Sequence, residues 1–162
     1  MPRDAKLDRI DLKIVATLQD SARITNQSLA DAVGLSASPC LTRVRRLEDA
    51  HVIGPYRADV NLDKICRTVT VFATVSLKSH DQEDFRTFEA NVKAIPEVVQ
   101  AFKVSGDFDY LLRFVCADIA RYHQLSDELL LRGGGMVRLT SHVVLDETKS
   151  FTGYPLASLV EV

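Results

Sequence analysis

The stretch that most constrains the fold is Thr25 to Ala50, TNQSLADAVGLSASPCLTRVRRLEDA. It reads as two short amphipathic helices joined by a tight turn. Thr25 stands where it can cap the first helix, whose apolar side is Leu29, Ala30 and Val33. Gly34 supplies the break, because glycine takes φ > 0 without penalty and ends helices cheaply. Ser36 can cap the second helix, and Pro39 falls within its first turn, where a missing N–H costs little. Cys40, Leu41, Val44 and Leu47 form a buried stripe at helical spacing, with Thr42, Arg43, Arg45 and Arg46 off it. Such an outer face suits the major groove of DNA. Its N-terminal hydroxyls and amides can meet phosphates and base edges, and its arginines can take phosphate or guanine. The spacing fits a helix-turn-helix. Two capped helices around a glycine also make a plain helical hairpin, and three arginines a solvated face, so this stretch alone leaves both readings open.

The flanks extend the helical pattern. LDRIDLKIVATLQ places Leu7, Ile10, Ile14 and Leu18 on one side, with Asp8 and Asp11 early, where negative charge suits the helix dipole. This helix is expected to pack across the hairpin. Residues 56–62, YRADVNL, alternate and read as a short strand, a wing after the helix-turn-helix.

Charge distribution decides more than its sum. The net charge is −2, yet residues 1–60 hold nine Lys/Arg against eight Asp/Glu, and Ser36 to Leu47 carries three arginines and no acid. A local basic face on a mildly acidic chain permits DNA binding while discouraging non-specific adhesion. The three cysteines, Cys40, Cys66 and Cys116, lie far apart without a CxxC. That argues against a disulfide framework or zinc site and for a reducing, cytoplasmic setting. The first residues, MPRDAKLDRID, lack the apolar core of a signal peptide, and no stretch approaches the ~20 apolar residues of a membrane span. No metal, cofactor or membrane partner is expected.

Past Asn61–Arg67, a largely polar joint, the period changes. TVTVFATVSL (68–77) alternates as a strand. Asp81 to Ile95 returns to helical period, with Phe85, Phe88, Val92 and Ile95 inward, and Pro96 stops it. Glu97–Ser105 and Tyr110–Cys116 are strands around a Gly106-Asp107 turn. Asp118–Leu131 is a second helix, Gly133-Gly134-Gly135 ends it, and Val137–Leu145 is a final strand. The order βαββαβ is that of ferredoxin-like domains. The expected fold is therefore α+β: a winged helix-turn-helix over 1–60, a linker over 61–67 and a ferredoxin-like domain over 68–162. The alternation of Val69, Val71, Ala73 and Val75 suggests an apolar sheet face left exposed on a monomer, hence assembly.

That combination resembles the leucine-responsive/asparagine-responsive (Lrp/AsnC) transcription regulators. LDRIDLKIVATLQ, LADAVGLSASPCLTRVRRLEDAHVI, VSGDFDYLL and VVLDETK carry the resemblance, in order, over nearly the whole chain. It implies a regulator that binds double-stranded operator DNA, senses a small amino acid and forms homodimers, with octamers (tetramers of dimers) as the larger assembly. An architectural DNA-binding regulator without an effector is the alternative. Ser36, Ser38, Pro39, Thr42, Arg43 and Arg46 match the DNA-reading helix, and Arg45 shares its polar side. Gly106, Asp107, Asp109 and Tyr110 match the effector turn, and Ser141 falls where the family usually has a pocket Thr. Amides near Gly106 can approach an amino acid's carboxylate, and Asp107 or Asp109 can take its ammonium; solvated aspartates at a plain hairpin turn are the bland alternative.

The chain departs from the family pattern at two places. Gly134-Gly135 replaces a usual Pro-Gly before the last strand, which should loosen that corner. His142 is unusual there; strand alternation points it with Arg138 and Thr140, away from Ser141, and at the effector pocket it would add pH dependence. Readings outside the family are an enzyme and a protein–protein adaptor. His51, His80, His123 and His142 are scattered, and Asp107/Asp109 lack an accompanying base, nucleophile or ligand. An adaptor would dock the arginine helix on an acidic partner and lack the steep salt dependence of phosphate contacts.

Overall fold

The computed structural model describes residues 7–78, 81–132 and 134–160. The chain folds as two units, one built from the residues up to Asp59 together with those from Lys149 onward, the other from Val60–Thr148.

Three helices make the first unit: α1 (Arg9–Asp20), α2 (Asn26–Val33) and α3 (Ala37–Asp49). Asp8 caps α1 through a capping box, its carboxylate accepting from the Asp11 amide while Asp11 accepts from the Asp8 amide. Thr25 caps α2 by accepting from the Ser28 amide, and Gly34 closes it in the left-handed region at φ 76°. Ser36 occupies the cap position of α3 without a side-chain bond to the helix. The expected hydroxyl cap is therefore not made, and its oxygen is left outward. Ile14, Leu18, Leu29, Ala30, Val33, Cys40, Val44 and Leu47 form one buried core. Leu41, expected in the stripe, is 38% exposed at its edge.

The expected wing strand is absent. Residues 54–61 are exposed and have no regular secondary structure, because the segment finds no neighbouring strand among the described residues to complete a ladder. Leu62–Lys64 of the expected linker forms one 3₁₀ turn. The C-terminal end also departs from the expected 68–162 domain. The Gln19 side-chain amide donates to the Tyr154 carbonyl (3.0 Å) and accepts from the Tyr154 amide (2.8 Å), tying this segment to the end of α1. Gly153, at φ 126°, gives the room: a Cβ there would stand 2.5 Å from the Gln19 side chain. A short helix, α6 (Leu156–Leu159), follows.

The second unit runs β1 (Val69–Leu77), α4 (Gln82–Lys93), β2 (Val98–Lys103), β3 (Tyr110–Cys116), α5 (Ile119–Leu131) and β4 (Met136–Val143). Its antiparallel sheet has the order β2-β3-β1-β4, the βαββαβ arrangement the sequence predicts. Strand alternation sends Val71, Ala73, Val75, Leu112 and Phe114 to one face, where they are buried with Phe88, Val92, Tyr122, Leu125 and Leu129 of the helices. This corrects the expected exposed face, since the Val71/Ala73/Val75 side is the covered one. The open side is one residue out of phase and carries Phe72, Thr74, Leu111 and Arg113. Asp118 caps α5, accepting from the Arg121 amide, whereas Asp81 stands at the α4 cap position without that bond.

Of the three glycines, Gly133 lies outside the described residues, and the other two make a close approach rather than a loose corner. A Cβ on Gly134 (φ 87°) would lie 3.0 Å from the Phe88 backbone, and one on Gly135 (φ 67°) 2.8 Å from the Asp84 carboxylate. The Gly135 carbonyl accepts from Lys78 across this corner.

Candidate functional site

The helix-turn-helix site is built on α3. With Cys40, Val44 and Leu47 buried, successive 100° steps put Ser38, Thr42 and Arg45 on the side facing away from the core. Ser36, Ser38, Pro39, Thr42, Arg45 and Arg46 are all exposed. Thr42 donates its hydroxyl to the Ser38 carbonyl at 3.1 Å. Asn26 at the start of α2 donates to the Ala37 carbonyl at 2.9 Å and so sets where α3 begins.

The arginines are not equivalent. Arg43 Nη1 lies 2.7 Å from Asp8 Oδ2 and 2.8 Å from Asp11 Oδ1, and Arg46 Nη2 lies 2.5 Å from Asp11 Oδ2. Asp11 is wholly buried. The Asp11 amide, then the Arg43 guanidinium, hold the Asp8 carboxyl below its ordinary pKa, and Asp8, then Asp11, raise Arg43. Arg45 engages no partner among the described residues. Sequence reasoning placed Asp8 and Asp11 only in the dipole of α1 and missed this cluster. The available signal was the matching three-residue spacing of Asp8/Asp11 and Arg43/Arg46, each pair on one side of its helix.

In the second unit the expected effector residues divide. Gly106 holds φ 123°, which demands glycine, and the space where a Cβ would stand is open. Asp107 is exposed and makes no contact among the described residues. Asp109 is committed, since its Oδ2 accepts from the Leu77 amide at 2.8 Å and its own amide donates to the Val75 carbonyl. Tyr110 is buried against Phe85 and Phe88, and its hydroxyl donates to Glu89 Oε1 at 2.8 Å. Burial, then Glu89, pushes that phenol well above its ordinary range. Ser141 stands beside Ala73, and its hydroxyl is hydrogen-bonded to that of Tyr122 on α5. His142 is exposed on the opposite side of β4, beside Phe72. Since β1 separates β4 from β3, one protomer does not bring Ser141 or His142 to the Gly106 turn.

Next to that turn a pocket of about 260 Å³ opens between α4 and β2, lined by Phe88, Glu89, Val92, Lys93, Ala101, Lys103 and Tyr110. Sequence reading placed Phe88 and Val92 in the core and did not single out its charged rim. Lys103 lies over the Phe85 ring, 3.1 Å from its centroid. On the open side of the sheet, Phe72 stands between Arg113 and His142, and Phe102 pairs with Leu111. The Arg113 Nε is buried there without a hydrogen-bond partner. Among the described residues no helix is long and apolar enough to cross a membrane, and no cluster of metal-ligating side chains forms.

Comparison with known proteins adds the family. Residues 7–53 match the winged helix-turn-helix DNA-binding model, and residues 70–154 match the Lrp/AsnC ligand binding domain. The chain is 43% identical over 144 residues to the transcriptional regulatory protein DoeX of Halomonas elongata, covering 89% of this chain and 91% of that protein. It is 40% identical over 147 residues to the leucine-responsive regulatory protein of Haemophilus influenzae, covering 91% and 89%. A transcriptional regulator from Neisseria meningitidis, solved as its L-Met complex, superposes with a TM-score of 0.86 at 34% identity, over 95% of this chain and 99% of that one. The three-helix unit, the βαββαβ unit and these relatives agree, and the chain belongs to the Lrp/AsnC family of DNA-binding, amino-acid-responsive transcription regulators.

Proposed function

We propose that α3 lies in the major groove of a cytoplasmic operator, with Ser36, Ser38, Pro39, Thr42 and Arg45 facing the duplex, and that the second unit adjusts this binding to a small amino acid. The observation that carries the reading is the outward side of α3, where Ser38, Thr42 and Arg45 are left unused by the core. The amino acid's carboxylate meets the open backbone at Gly106, and its ammonium meets Asp107, the aspartate of the turn with no other partner among the described residues. A small apolar side chain suits the neighbouring Phe88, Val92 and Tyr110, in keeping with a leucine-responsive relative and one bound to L-Met. Two copies pair through the open sheet side, where Phe72 and Phe102 lose water. Octamers are the larger assembly. Ser141 and His142 take part only where a neighbouring protomer approaches.

The test is fluorescence anisotropy of a duplex taken from the region upstream of the protein's own gene, at two salt concentrations, with and without the twenty amino acids. Salt-sensitive binding that shifts with the mixture supports the reading. Asp107→Asn is expected to weaken the amino-acid response by about 1.5–3 kcal/mol, the range for a charge-assisted hydrogen bond, whereas Asp109→Asn chiefly lowers Tm. Binding that ignores the mixture supports a purely architectural regulator instead. No binding at low salt overturns the DNA assignment, and a monomeric mass in light scattering overturns the pairing.

A further inference from the structure

We propose that Asp8 and Asp11 form an acid clamp that withholds Arg43 and Arg46 from DNA, leaving Arg45, with Ser38 and Thr42, as the reading edge of α3. The inference rests on the DNA reading above and revises the roles that three arginines on one helix suggest.

The charge balance carries the argument. Two carboxylates, Asp8 and Asp11, face two guanidinia, Arg43 and Arg46, at 2.5–2.8 Å. The cluster sums to zero, so it offers a phosphate no net positive charge even though spare N–H groups remain on its rim. Asp11 is wholly buried while Arg43 and Arg46 keep 28% and 56% of their side chains exposed. A buried carboxylate stripped of its counterions is costly. A phosphate therefore recruits either arginine only at the expense of Asp11. Arg43 also projects toward α1 rather than outward, within about a sixth of a turn of Cys40 and Leu47 around the α3 axis. It is a positioning residue that seats α3 on α1 and orients Ser38, Thr42 and Arg45. The only acid on that outward side of α3 is Asp49, at the far end from the N-terminal residues that reach base edges.

The experiment uses the full chain and a duplex that the wild-type protein selects from a randomised pool, with log K measured against log salt. Each phosphate contact contributes a slope of about −0.9. Arg45→Ala is expected to weaken binding about tenfold or more and to flatten the slope by about one contact. Arg43→Ala and Arg46→Ala are expected to lower affinity through misplacement of α3 while keeping the wild-type slope. Arg46→Ala, with its side chain more than half exposed, carries this comparison if Arg43→Ala does not fold. Asp11→Asn is expected to steepen the slope by one contact or more as the freed guanidinia reach phosphates, a change that mere loss of structure does not produce. A slope flattened by Arg43→Ala or Arg46→Ala as much as by Arg45→Ala overturns the clamp, as does an unchanged slope in Asp11→Asn. A wild-type chain that selects no duplex overturns the DNA reading and the clamp with it.

Discussion

The two units solve the problem of presenting polar residues in opposite ways. In the helical unit the candidate surface is local. Ser36 to Arg46 lies on one helix, and the neighbouring α1 only takes up the charge that is not presented. In the sheet unit the candidate residues come from a turn, a buried strand end and a distant edge strand, and one protomer leaves them apart. A local surface needs only the right helix in the right phase. A dispersed one needs strand register as well. The contrast also shows in the buried polar groups: Asp11 is paired twice within its unit, whereas Arg113 Nε is buried without a hydrogen-bond partner among the described residues.

The deepest cuts test whether each unit stands on its own core. Phe88→Ala is expected to cost the sheet unit about 3–5 kcal/mol, and Leu47→Ala to cost the helical unit about 2–5 kcal/mol, in urea unfolding followed by circular dichroism. A cost below about 1 kcal/mol in either would mean that the core described for that unit does not hold it. Smaller effects sharpen the polar contrast. Arg43→Ala leaves buried Asp11 with one partner and should cost about 1–3 kcal/mol, while Tyr110→Phe leaves a partly buried Glu89 that water can still serve and should cost about 1 kcal/mol or less. Equal costs for the two would erase the distinction between a buried and a solvated partner. The smallest effect is acid sensitivity. Asp8 is held below its ordinary pKa by the Asp11 amide and then Arg43, and Glu97 by Arg121. A carboxyl depressed in the folded state contributes stability above its unfolded pKa of about 4, and that contribution is lost as pH falls through the lower folded value. Asp8→Asn and Glu97→Gln should each flatten the decline of Tm below about pH 4. A decline unchanged in both would separate these pairs from acid unfolding.

Much of this was legible without coordinates because it rests on neighbours a few residues apart. The Thr25 and Asp118 caps, the Gly34 exit and the β3 bounds of Tyr110–Cys116 follow from capping chemistry and period alone. The alternation of Val69 to Val75 announced a strand with one apolar side. It did not say whether α4 and α5 or solvent would cover that side, and helix packing chose the helices. Residues 56–62 alternate as a strand would, yet a strand also requires an adjacent chain, and none is there among the described residues. The triple glycine reads as slack in the sequence, but the backbone of Phe88 lies against Gly134.

By itself the sequence determined the first three helices, the βαββαβ order of the second unit, the polar outer side of α3 and the turn at Gly106. Each is set by φ/ψ preference or by side-chain spacing within one element. Only the tertiary structure decided which arginines remain free. Asp11 and Arg43 stand 32 positions apart, as do Leu77 and Asp109. Packing of α1 on α3 commits the first pair, and the seating of the turn on β1 commits the second. A charge's availability depends on what the fold has placed beside it, and the matching spacing of Asp8/Asp11 and Arg43/Arg46 becomes a pairing only once α1 packs on α3.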